Sequence, residues 1–137
     1  MGDAMPRFVI HSDVALHLAR TRTVIPSEQK LLAPTLLRSE VLARLYEAVR
    51  REEIDHKEAR DQLDYLRSLK LRLLGDRVLQ RVAWEIAEQL DWPDTFCAEY
   101  LALTRLQADA FITLDRKLAQ RARNVVRLGE LSDILEP

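Results

Sequence analysis

The sequence predicts an α/β fold: a central, mostly parallel sheet of about five short strands flanked by helices. Two short apolar runs carry this expectation, residues 7–10 and 110–114. Each has the composition of a buried strand, and each ends at a polar residue where a helix-like pattern begins at once. Between them, strand-like and helix-like segments alternate, the signature of parallel strands joined by crossover helices. The 137 residues are 47% hydrophobic and 31% charged, with only 3 Gly and 5 Pro. That describes a chain able to bury a core, and the absence of a linker or repeat predicts a single domain over 1–137.

Taken in order, 7–10 is the first strand and ends at His11. Val14, Ala15, Leu16, Leu18 and Ala19 then define a helix with Ser12 or Asp13 near its start. Residues 20–27, with Pro26, form a loop, and 30–33 a second strand closed by Pro34. Pro suits a first helical turn, and 35–51 is strongly helical, with Leu37, Val41, Leu45, Ala48 and Val49 along one stripe. Glu40 lies at the edge of that stripe, with Arg44 one turn on. Asp55 and Glu58 have capping-box spacing for a helix over 55–69, on which Ala59, Leu63, Leu66 and Leu69 form the apolar stripe. Residues 71–74 give a third strand and 76–90 a helix with Val78, Val82, Ile86 and Leu90 inward. Asp94 is a good N-cap for 95–106, which carries Phe96, Tyr100 and Leu103 on one face and Cys97 on the adjacent stripe. The strand 110–114 ends at Asp115, which caps the helix from Arg116. Val125 and Val126 suggest a terminal strand.

A net charge of −1 excludes a globally basic nucleic-acid binder but leaves room for a local basic patch. Residues 116–129 supply one, with five basic residues and no acidic residue. Cys97 has no cysteine to pair with, which fits a reducing compartment. No apolar run approaches the roughly 20 residues of a membrane span, and residues 1–6 lack the basic start and apolar core of a signal peptide. The expectation is a soluble, cytoplasmic protein with no membrane partner.

Four segments carry a resemblance. They are Val9-Ile10-His11-Ser12-Asp13-Val14-Ala15-Leu16, Pro34-Thr35-Leu36-Leu37-Arg38-Ser39-Glu40-Val41, Phe96-Cys97-Ala98-Glu99-Tyr100-Leu101-Ala102-Leu103 and Phe111-Ile112-Thr113-Leu114-Asp115-Arg116-Lys117-Leu118. In order and spacing they resemble the PIN-domain family, and within it the VapC-type ribonuclease toxins of toxin–antitoxin pairs. The resemblance implies a three-layer PIN-like fold and hydrolysis of RNA phosphodiesters assisted by Mg²⁺ or Mn²⁺. Hard cations of this kind want oxygen ligands and keep several waters, and a carboxylate cluster supplies such ligands. Glu40 and Asp115 match two of the family's acidic positions. The first acidic position is His11 here and the third is Cys97.

Imidazole and thiol are poor partners for Mg²⁺. Asp13 falls where the family carries a small hydroxyl residue, and Asp94 lies one turn before Cys97, so either can supply a carboxylate. The candidate catalytic and metal-holding residues are therefore Asp115, Glu40, Asp13 and Asp94, converging with His11 and Cys97 on one cleft at the carboxyl edge of the sheet. Arg116, Lys117 and Arg44 are the candidate RNA contacts. Divalent binding is expected to be weak and to prefer Mn²⁺, because His11 and Cys97 offer softer atoms.

Three functional readings follow. One is an active metal-dependent ribonuclease. The second is a PIN-fold protein with a degenerate centre that binds RNA or a protein without efficient cleavage. The third is a Cys97-based enzyme with His11 as base; the types His11, Cys97 and Asp115 also suit Zn²⁺, without the closely spaced ligand pairs of structural zinc sites. The resemblance further implies a homodimer and a cognate antitoxin. Helices 55–69 and 76–90, bearing Tyr65 and Trp84, are the candidate surface for that partner.

Overall fold

The computed structural model describes residues 6–137. The segment 1–5, which carries most of the signal-peptide argument, lies outside the described residues. Four parallel strands, β1 (Arg7–Ile10), β2 (Lys30–Pro34), β3 (Leu71–Leu74) and β4 (Ala110–Ile112), form one sheet in the order β3-β2-β1-β4. About five strands were expected. The fifth is reduced to a single parallel bridge between Phe111 and Leu128, held by Phe111 N–H to Arg127 O at 3.0 Å and Gly129 N–H to Phe111 O at 2.8 Å. Val125 and Val126 are not a strand. Their N–H groups both donate to Ala122 O, at 2.9 and 3.0 Å, so the backbone that would pair with β4 finishes a helical turn instead.

Helix α1 (Ser12–Thr21) follows β1, α2 (Leu36–Arg50) and α3 (His56–Ser68) follow β2, α4 (Arg77–Gln89) and α5 (Phe96–Gln107) follow β3, and α6 (Arg116–Ala122) and α7 (Ser132–Leu135) follow β4. The chain steps from β1 to β2 to β3 in one direction and then crosses back over the sheet to β4. Right-handed crossovers therefore place α1, α2 and α3 on one face and α4 and α5 on the other. Helices of each group pack on one another, and α5 lies against β1, β2 and β4. The result is a three-layer α/β fold. Its core is the middle of the sheet, where Val9, Ile10, Phe111 and Ile112 are fully or almost fully buried, closed by Val14 and Leu18 from one face and Ala98 and Leu101 from the other.

Local chemistry sets the helix starts. Asp55 accepts from Glu58 N–H at 2.8 Å and Asp76 from Leu79 N–H at 2.9 Å, each satisfying a donor the helix cannot. Glu58 does not complete the expected capping box. Its carboxylate takes both ends of the Arg22 guanidinium, at 3.0 and 3.1 Å, and the Gln62 amide, because a bidentate charged partner outcompetes one backbone N–H. Helix α4 is rotated from the expected stripe: Leu79, Val82, Ala83, Ile86 and Ala87 are buried and Val78 is 45% exposed. Among the described residues, no helix is long and apolar enough to cross a membrane.

Candidate active site at the carboxyl edge of the sheet

Strand β1 sits between β2 and β4, and the chain order reverses there. In open α/β sheets such a switch point is where strand ends leave a crevice for ligands. All three strands deliver polar residues to it. His11 ends β1, with its N–H still donating to Ile112 O of β4 at 3.0 Å. The residue therefore belongs to the sheet by its backbone and begins α1 as its N-cap. Asp13 lies in the first turn of that helix, Glu40 in the second turn of α2, and Asp115 at the N-cap of α6.

A continuous set of contacts joins these groups. Asp13 Oδ2 accepts from Thr113 Oγ1 at 2.7 Å and from Leu114 N–H at 3.2 Å, and stands 3.3 Å from His11 Nδ1. Thr113 Oγ1 in turn accepts from Asp115 N–H at 3.1 Å. On the other side of the imidazole, Nε2 is 4.0 Å from Cys97 Sγ. The ring also lies 4.7 Å, centroid to centroid, from that of Tyr100, whose hydroxyl donates to Glu40 Oε1 at 2.5 Å. Glu40 and Asp115 thus lie at the same edge of the sheet, linked through Tyr100, His11, Asp13 and Thr113. Asp94 is not linked into this set: it is exposed, and its Oδ1 accepts from Phe96 N–H at 3.1 Å to help start α5.

Electrostatics fix the state of the central pair. His11 is 7% exposed, and burial, the largest single influence, disfavours its charged form. The hydrogen bonds and charges of Asp13 and Cys97 together outweigh burial and raise the ring to about 9. Asp13 responds in the opposite sense: burial favours its neutral acid, but His11, Thr113 and Leu114 together hold the carboxyl below its ordinary value. Nδ1 also lies 3.3 Å from Asp13 N–H, a contact that needs a lone pair on Nδ1. A protonated ring has none there, so near neutrality the proton on Nδ1 faces the carboxylate. Burial, then the Glu40 bond and charge, push the Tyr100 phenol far up. Burial and the charge of Glu40 also raise Glu99.

Four residues of the site were not singled out from the sequence. Tyr100 looked like a core aromatic, and it is one, with its hydroxyl as the functional end. Thr113 is the bridge between the two aspartates. Glu99 adds a carboxylate that senses Glu40. Ser12, fully buried, has an Oγ with no partner, as has the buried Asp13 Oδ1. A hydroxyl next to a strand-end carboxylate was the available signal for Ser12 and Thr113.

As arranged, these side chains do not fit Mg²⁺. One oxygen of each carboxylate is already hydrogen-bonded: Asp13 Oδ2 to Thr113 and Leu114, Asp115 Oδ1 to Lys117 N–H and Leu118 N–H at 2.9 and 3.1 Å, and Glu40 Oε1 to Tyr100. Their remaining oxygens do not converge on one point. His11 and Cys97, which face the same edge, offer an imidazole and a thiol, both poor ligands for a hard cation. Among the described residues no group of three His, Cys, Asp or Glu side chains is placed to hold a metal ion. The chemistry the centre does offer is a buried cation flanked by a carboxylate and a thiol. Exposed Arg44, Arg116 and Lys117 add positive charge on α2 and α6. Arg121 of the same basic run is engaged elsewhere, bonded to Leu90 O and lying 5.7 Å over the Trp92 ring.

No protein-family model matches the chain, and no curated protein matches it. The crystal structure of PAE2754 from Pyrobaculum aerophilum is similar in structure, with a TM-score of 0.70 and 17% sequence identity over 96% of this chain and 95% of that one. At that identity the likeness establishes the shared α/β fold and leaves activity to be argued from the site.

Proposed function

We propose that this chain is a PIN-like protein of the VapC type whose nuclease centre is degenerate: it binds RNA at the carboxyl edge of the sheet without efficient metal-dependent cleavage. The order of the four motifs supports the family. The carrying observation for the degenerate centre is geometric: the His11 ring stands where a cluster of acids would converge, 3.3 Å from Asp13 Oδ2 and 4.0 Å from Cys97 Sγ, and those two neighbours favour its charged form. In that form the ring supplies from within the chain the positive charge that a divalent ion brings to a carboxylate cluster. Arg44, Arg116 and Lys117 are the residues we assign to phosphate contacts, which position a strand without reading its sequence.

The VapC-type reading also assigns this chain the toxin's place in a toxin–antitoxin pair, with a homodimer and a cognate antitoxin as partners. A groove of about 570 Å³ between α2 and α3, lined by Leu42, Leu45, Tyr46, Ala59 and Leu63 among others, supports an antitoxin surface. Leu42 is 57% and Tyr46 64% exposed, and at i,i+4 spacing they share one face of α2. We therefore assign the antitoxin surface to α2 and α3, in place of the α3 and α4 surface expected from the sequence. Tyr65 on α3 donates internally to Thr23 O at 2.5 Å, whereas Trp84 on α4 is 64% exposed and remains a candidate contact.

The deciding experiment compares wild type with His11→Asp/Cys97→Asp in calorimetric Mn²⁺ and Mg²⁺ titration and in RNA cleavage. The expected result is RNA binding by both proteins, with metal-stimulated cleavage appearing in the double variant. Vigorous metal-dependent cleavage by wild type, with no gain from the restored acids, overturns the degenerate reading in favour of an active ribonuclease.

A further inference from the structure

The opposite edge of the sheet carries a charge pattern that the candidate site does not use. Parallel pairing sets Arg7 of β1 beside Lys30 of β2, and the register of Leu31 with Leu71 brings Lys70 next to Lys30. Neighbouring strands lie about 4.8 Å apart, so Arg7, Lys30 and Lys70 form a cationic row across the amino-terminal ends of three strands. Arg72 follows two residues after Lys70, on the same side of β3. These four side chains, with Gln29, Leu31, Leu32 and Leu71, line a groove of about 450 Å³ that has no acidic residue in its wall.

Like charges set side by side on adjacent strands repel, and among the described residues none of these four makes an ion pair. A carboxylate does stand at one end of the row: Asp109 Oδ2 accepts from the Arg7 backbone N–H at 2.7 Å. It is directed to the main chain and is absent from the groove lining. The wall itself is fixed, because the buried Gln29 donates through Nε2 to Asp133 O at 3.1 Å and to Glu136 O.

We propose that this amino-terminal edge is a second nucleic-acid face, where the phosphodiester backbone of a single-stranded RNA lies along Arg7, Lys30, Lys70 and Arg72. A regular row of cations matches a polymer with one charge per repeat, and half-buried Leu71 gives it one apolar contact, since Leu31 and Leu32 are almost wholly buried beneath the groove. The strands are four or five residues long, so the two edges are about 15 Å apart. One RNA strand can touch both, which makes this face an exosite for the RNA of the proposed function and rests on that reading for its biological ligand.

The test is fluorescence anisotropy of a labelled oligouridylate with the full chain, across a salt series, in wild type, Lys30→Gln/Lys70→Gln and Arg116→Gln/Lys117→Gln. For the first variant the expected result is at least a tenfold loss of affinity. The slope of log K against log salt should also shrink by about 1.4, roughly 0.7 for each lost phosphate contact on a single strand. Amide shift changes in the wild-type protein at Arg7, Lys30 and Lys70 give the same answer without a variant. Loss confined to Arg116→Gln/Lys117→Gln, with no shifts at the amino-terminal edge, overturns the exosite and leaves the carboxyl-edge reading standing. Loss confined to Lys30→Gln/Lys70→Gln supports the exosite and removes RNA from the carboxyl edge. Absence of RNA binding in wild type overturns both, and polyglutamate competing as well as the oligonucleotide assigns the groove to an acidic polypeptide instead.

Discussion

The phenol of Tyr100, on one face of the sheet, donates to Glu40 Oε1, on the other, at 2.5 Å. The bond ties α5 to α2 across the carboxyl edge of the strands. Tyr100 is fully buried, and both burial and Glu40 keep its proton in place, so it is a permanent donor over any working pH. Removing it with Tyr100→Phe leaves a half-buried carboxylate without its partner. Hydrogen bonds to charged groups contribute about 1.5–3 kcal/mol, so urea unfolding should show a loss near 2 kcal/mol at neutral pH. A loss below about 0.5 kcal/mol, the range of ordinary surface changes, argues that water replaces the phenol and that the bond does not organise the site.

The His11–Asp13 pair predicts a specific pH profile. A ring raised from 6.5 to about 9 on folding adds stability that is complete below the unfolded value and disappears as pH rises through about 9. Asp13, lowered on folding, adds stability above the ordinary carboxyl range and loses it as pH falls through its depressed value. His11→Gln should therefore be less stable than wild type by about 2 kcal/mol near pH 6, with the difference fading between pH 7 and 10. Unfolding free energies at pH 6, 8 and 10 measure this. A difference that stays constant across the series means that the ring is neutral in the folded protein.

Much of this was readable from residue pattern, and the failures have local causes. The strand runs around Val9 and Phe111 were legible because a parallel strand buried on both faces is continuously apolar, and Asp55 and Asp115 were legible as caps. Val125 and Val126 have strand composition, yet their N–H groups lie within reach of the last carbonyls of α6. Val78 matched a helical period without facing the core, since spacing fixes a stripe and not its rotation. Asp115 was placed at the carboxyl edge by strand-end logic, and Glu40 by its position at the edge of the apolar stripe of its helix. Asp94 was drawn to the site by its distance from Cys97, one helical turn, but its carboxylate caps α5. Tyr100 and Thr113 were missed as site residues because their role depends on contacts between segments far apart in sequence.

The α2–α3 groove predicts a separation of stability from association. Leu42→Glu and Tyr46→Glu change exposed positions on α2, so each should alter unfolding free energy by no more than about 0.5 kcal/mol. If the groove holds a partner, the same changes should abolish complex formation with the antitoxin expected for a VapC-type toxin, measured by co-purification with a co-expressed candidate. A complex that survives both changes places the partner elsewhere, with exposed Trp84 the next position to alter.

Asp115 offers the sharpest distinction between structure and chemistry, because it caps α6 through Oδ1 while standing next to Thr113 and Asp13. Asn caps helices about as well as Asp, whereas Ala loses about 1 kcal/mol. Asp115→Asn should therefore unfold at nearly the wild-type denaturant concentration, and Asp115→Ala should be less stable by about 1 kcal/mol. In the His11→Asp/Cys97→Asp background the order of effects on chemistry is different. An amide cannot replace an anionic oxygen toward a hard cation, so Asn and Ala should both remove any divalent-stimulated cleavage that the restored acids introduce. Denaturant unfolding, calorimetry and cleavage on Asp115→Asn and Asp115→Ala in both backgrounds, each against its parent, separate the two roles. Cleavage that persists in Asp115→Asn, and falls in Asp115→Ala only in proportion to stability, assigns Asp115 to the cap alone.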